Sequence, residues 1–79
     1  MSAYMKARTA EVRRLRQGAG YASDYALAIA AKVHPQTLSA ILLGKRSPSG
    51  DVAARMVRTL GVGYDQLFEV ADREMATAA

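Results

Sequence analysis

The punctuation of this chain constrains its fold more than any other feature. From Leu27 through Val62 apolar residues recur at helical spacing, and Pro35, Gly44, Ser49 and Gly61 cut that run into short pieces. Proline at the first position of a helix sacrifices no hydrogen bond, and glycine suits the left-handed residue that follows a last turn. Strands are not expected, because nowhere do β-branched residues alternate over the length of a strand. The expectation is therefore an all-α domain, a compact bundle of five helices.

The first helix runs to about Gln17 and buries Val12 and Leu15, with Arg8, Arg13, Arg14 and Arg16 on its other faces. Ser2 and Thr9 are both candidate N-caps, and Gly18 and Gly20 stop it. A second helix follows Ser23 as N-cap, from Asp24 to Ala31, and places Leu27, Ala28 and Ala31 on one narrow face. A third starts at Pro35 with His34 as N-cap, runs to about Leu43 and ends at Gly44. At 100° per residue Leu38, Ile41 and Leu42 fall on one side, while Gln36, Ala40 and Leu43, flanked by Thr37 and Ser39, fall on the other. The fourth follows Ser49, carries Asp51 in its first turn, and buries Ala53, Met56, Val57 and Leu60 before Gly61. The fifth is short, Tyr64 to Val70, anchored by Leu67 and Phe68. Residues 1–70 are read as one domain and 71–79 as a short tail.

A chain of 79 residues can bury about 60–65% of its unfolded surface, enough for one core but not for an enclosed catalytic cleft. Cysteine is absent, which excludes a disulfide framework and a thiolate metal site. No apolar run approaches a membrane span, and Met1 to Gln17 is charged throughout, unlike a signal peptide. A soluble cytoplasmic protein, associated with the nucleoid, is expected. His34 is the sole histidine, no serine or acid is arranged around it, and Gly18-Ala19-Gly20 follows a helix rather than a strand. These features argue against an enzyme, a cofactor or a metal.

The formal net charge is +4, and of the seven acids Asp65, Glu69, Asp72 and Glu74 lie near the C-terminus. The body before them is strongly basic. That distribution fits a polyanion, whose phosphate contacts gain from counterion release.

The segment from Leu27 to Val62 resembles the helix-turn-helix of Cro and lambda-repressor type proteins, the XRE family. That family places a branched apolar residue and a small one in its first motif helix, an apolar residue after the turn, and two more in the recognition helix. Here these are Leu27, Ala28, Val33, Leu38 and Ile41, with Ala31 as a further helix contact. The trailing glycine, basic pair and proline are Gly44, Lys45, Arg46 and Pro48, and the closing segment is Leu60-Gly61-Val62 followed by Asp65 and Leu67.

The resemblance implies a lambda-repressor-like domain whose second and third helices form the motif, and whose partner is double-stranded DNA. The third helix would enter the major groove. Gln36 is the best base reader, because its amide can donate to and accept from adenine, with Thr37, Ser39 and Ala40 offering hydroxyl or methyl contacts. Lys45 and Arg46 are the leading phosphate contacts, with Lys32, Ser23 and the exposed arginines of the first helix as further candidates. Leu43 could touch a thymine methyl, pack on the fourth helix, or be exposed. The implied role is a small transcriptional regulator of repressor or Cro type, phage or bacterial. The competing reading is an antitoxin or protein-interaction module on the same fold. A homodimer would use Tyr64, Phe68 and Val70, together with Met75, or the first helix through Tyr4 and Met5.

Several positions depart from the family pattern. Lys32 stands where glycine usually occupies a left-handed turn. Asp24 stands where many relatives have a glutamine that contacts the DNA backbone, so that contact is not carried over. Leu42 replaces a glutamate that often pairs with an arginine at the position of Arg16, leaving Arg16 free, or paired with Asp51 or another acid.

Overall fold

Each helix boundary in the computed structural model, which describes residues 3–72, has a local cause. Helix α1 spans Thr9–Gly18, α2 Asp24–Ala31, α3 Pro35–Leu42, α4 Gly50–Leu60 and α5 Tyr64–Leu67. The hydroxyls of Ser23 and Ser49 accept the backbone N–H groups of Ala26 (3.0 Å) and Val52 (3.2 Å), starting α2 and α4. Nδ1 of His34 accepts the N–H of Gln36 at 3.2 Å and starts α3, with Pro35 as its first residue. Each of these caps satisfies an N–H that the first helical turn leaves without an acceptor.

Helix ends use left-handed residues in the same way. Gly44 has φ 77° and lets the N–H of Lys45 return to the carbonyl of Ala40 at 2.9 Å. No heavy atom would meet a Cβ at Gly44, so glycine is there for its backbone angle and not for space. Lys32 is the only non-glycine residue with positive φ among the described residues, at 59°.

The chain is not all-α. Strand β1, Ala3–Ala7, pairs antiparallel with β2, Phe68–Asp72, in a register that sets Ala7 against Phe68 and Met5 against Val70. The fifth helix accordingly ends at Leu67 and not at Val70, because Phe68 at φ −134° has already entered extended backbone. The expected cap of α1 is also corrected. Thr9 is its first helical residue, Arg8 precedes it without a side-chain cap, and the Arg8 N–H donates to the carbonyl of Leu67 at 2.7 Å. Ser2 and Met75 lie outside the described residues.

The core takes Val12 from α1, Leu27, Ala28 and Ala31 from α2, Leu38, Ile41 and Leu42 from α3, and Ala53 and Met56 from α4. Leu67, Phe68 and Ala7 close it from the ribbon side, and Val33 fills the turn. Leu15, Val57 and Leu60 are half-buried against this cluster. α2 packs on both α3 and α4, and its fully buried Ala28, with Ala53 of α4, permits close approach of the helices. Truncating Phe68 to alanine would cost about 3–5 kcal/mol, since such a cavity cannot collapse in a close-packed interior.

Candidate nucleic-acid interface

Burial of Leu38, Ile41 and Leu42 fixes which way α3 faces. Gln36, Ser39 and Leu43 then form one exposed stripe, with Thr37 and Ala40 half-buried at its edge. None of these side chains is charged. Leu43, the C-cap of α3, is 62% exposed and does not pack into the core. A helix about 10–12 Å across matches a major groove about 12 Å wide, so this stripe has the dimensions to read base edges.

Both ends of α3 are held. On the C-terminal side the hydroxyl of Thr9 donates to the carbonyl of Leu42 at 2.6 Å, tying the last turn to the start of α1. Beyond it Lys45 and Arg46 are exposed and form no ion pair among the described residues. On the N-terminal side the carbonyl of Lys32 accepts Nη1 of Arg55 at 2.7 Å, and Nε of Arg55 pairs with Asp51 at 3.1 Å. Arg55 thereby pins the left-handed turn to α4, while the Lys32 side chain itself is exposed and has no partner among the described residues.

The start of α2 carries a third set of charges. Arg16 is 9% exposed and donates Nη1 to Oδ1 of Asp24 at 3.2 Å. Arg13 donates Nε and Nη2 to the other oxygen, Oδ2, at 3.3 and 3.1 Å. Arg16 is therefore neither free nor paired with Asp51, which is taken by Arg55. Asp24 supplies the acid that Leu42 does not. The Ser23 hydroxyl beside it is exposed but already accepts the cap N–H, so only its own hydrogen is left to offer a phosphate.

Among the residues expected at a self-association surface, Tyr64 and Val70 are 43% and 69% exposed. Phe68 is not available: at 1% exposure it belongs to the core, with the Tyr64 ring tilted against it at a centroid distance of 5.1 Å. Sequence reasoning missed Thr9, Arg13 and Arg55 as supports of this face. No local pattern marks a hydroxyl or guanidinium whose acceptor lies on another helix.

Comparison with known families decides what this arrangement is. The helix-turn-helix domain family matches residues 9–70, which takes in all five helices and the start of β2. The chain belongs to that family. Comparison with curated proteins and with solved structures gave no match. α2 and α3, joined through the left-handed turn at Lys32, are arranged as a helix-turn-helix, a motif that docks on DNA. No helix among the described residues is long and apolar enough to cross a membrane, and no described cluster of His, Asp or Glu could hold a metal ion.

Proposed function

We propose that the chain is a sequence-specific double-stranded DNA-binding protein, a small regulator of the repressor or Cro type from a bacterium or phage. The observation that carries this is the uncharged, outward stripe of α3 lying between unpaired cations, Lys32 before it and Lys45 and Arg46 after it. α3 occupies the major groove, Gln36 reads a base in a bidentate pair, and Thr37, Ser39 and Ala40 supply short contacts beside it. Lys32, Lys45, Arg46 and the Ser23 hydroxyl hold phosphates and set the register. Binding as a two-fold dimer, with half-sites about 34 Å apart, would use the exposed Tyr64 and Val70.

Fluorescence anisotropy on a selected duplex and on random duplexes tests this reading. Affinity should fall linearly with salt on a log–log plot, and Gln36→Ala should lose about 1–3 kcal/mol on the selected site alone. Equal loss on both duplexes would make Gln36 a positioning residue. No salt-dependent binding at low ionic strength would overturn the reading. It would favour a protein-interaction or antitoxin role, for which Tyr25 and Ile29, 65% and 55% exposed one turn apart on α2, offer an apolar face. Light scattering with and without DNA tests the dimer.

A further inference from the structure

Helices at the surface of a domain carry charge on their outer side, and α1 and α4 do so with Arg13, Arg14, Arg55 and Arg58 exposed. α2 does not. After Asp24 it reads Tyr-Ala-Leu-Ala-Ile-Ala-Ala, with no charged residue on any face. A helix that is apolar all round is expected to be covered all round. Only one side of this one is covered: Leu27, Ala28 and Ala31 are buried where α2 packs on α3 and α4, whereas Tyr25 and Ile29 stand exposed one turn apart. An isoleucine with nothing to pack against is a poorer helix former than alanine or lysine, so neither local preference nor the monomer fold accounts for Ile29.

The uncovered side runs into a basic cleft. Ala30 and Ala31 line it from α2, Arg55, Arg58 and Thr59 line it from α4, and Lys32 lines it from the turn. None of these residues is acidic. Asp51 neutralises Arg55 at 3.1 Å, while Arg58 is exposed with no partner among the described residues. We infer that the outward side of α2 and this cleft together form a docking surface for an acidic segment of another protein, one that carries a large apolar side chain next to its carboxylates. The apolar side chain covers Tyr25 and Ile29, and the carboxylates meet the cations of the cleft. At 100° per residue Tyr25 and Ile29 point away from Leu27 and Ala31, which face the core, so the surface is separate from the α3 stripe and the inference does not depend on DNA binding. Nucleic acid would suit the charge of the cleft but not an exposed isoleucine. A second copy would suit the apolar side but not the cleft. A two-fold contact through α2 would set the same cations against each other, and the only acid of α2, Asp24, is already held by Arg13 and Arg16.

NMR titration of the isotope-labelled chain with a synthetic glutamate–leucine peptide, its leucines at i, i+4 spacing, tests the surface. Amide signals of Tyr25, Ile29, Ala30 and Arg58 should shift, those of Gln36 and Ser39 should stay, and affinity should fall as salt is raised. Ile29→Ser should weaken binding about tenfold. Arg58→Glu should weaken it by a similar factor and turn the preference toward a lysine–leucine peptide. Both substitutions alter exposed side chains, and thermal melts establish that each variant is folded at the assay temperature. No shift, shifts confined to other surfaces, or parental affinity in both variants overturns the inference. Equal binding of polyglutamate without leucine overturns it too, because the cleft would then be a site for bare anions. Concentration-dependent self-association in light scattering that Ile29→Ser abolishes would assign the face to a second copy, and would overturn it as well.

Discussion

Two groups of cations serve this domain under opposite conditions. Arg13 and Arg16 on α1 are locked to Asp24, one of them nearly buried, whereas Lys45 and Arg46 stand exposed, with no partner among the described residues, beyond the glycine that ends α3. The first pair is part of the fold. The second is surface that α3 merely presents. Equal formal charge therefore has different thermodynamic meaning: removing a locked arginine strands its partner, while removing a solvated lysine changes little until a polyanion arrives.

Between these two groups, the largest expected effect is on the locked side. Arg16→Ala should lower unfolding stability by about 2 kcal/mol, because Asp24 loses one of its two partners and a nearly buried side chain loses its packing. Arg46→Ala should stay within about 0.5 kcal/mol of the parent. Equal midpoints for the two variants in urea titrations would erase the distinction. Next in size is Lys45→Gln, expected to weaken binding to every duplex and to reduce the salt slope by about one unit with the melting temperature unmoved.

Lys32→Gly sharpens the comparison from the backbone. Its φ of 59° suits glycine, so the substitution should stabilise by roughly 1 kcal/mol while removing an unpaired cation. Calorimetry should show a higher melting temperature, and a lower one would mean that the lysine side chain supports the turn.

The smallest effect belongs to the exposed pair of Glu11 and Arg14 on α1. Their hydrogen bonds, one of them 2.8 Å, hold the Glu11 carboxyl below its ordinary value of 4.5. A depressed carboxylate stabilises the fold above the unfolded-state value, and that contribution is lost as the pH falls through the lower folded value. Glu11→Gln should therefore be slightly less stable than the parent near neutrality and converge with it in acid. A difference that persists in acid would point to a role of Glu11 other than its charge.

Legibility in the sequence followed the range of the interactions. Ser23, His34, Ser49, Gly44 and Gly61 act within a turn of their own position, and the ends they imply for α2, α3 and α4 match the structure to within a residue. The outward placement of Gln36 and Ser39 followed from the same helical arithmetic. The ribbon was hidden because Ala-Tyr-Met-Lys-Ala and Phe-Glu-Val-Ala-Asp have no strand composition. Only their pairing makes them extended, and β preference depends on such context. Arg16 was half legible: an acid other than Asp51 was one of three alternatives, and Asp24 reaches it only because the loop after Gly20 folds α2 back beside α1.

The ribbon joins parts of the chain that lie far apart in sequence, pairing Ala7 with Phe68 and Tyr4 with Ala71. α2 meets α1 and α3, and α4 meets α5, through short connections, and local contacts form fast while closing a long loop is entropically slow. The helices can thus assemble first and the strands zip afterwards, as a clasp fastened on a finished body. A weakened clasp would leave the folding rate almost unchanged and let the domain open sooner, so that its lifetime, more than its speed of formation, is set by ten residues that look like neither strand nor helix.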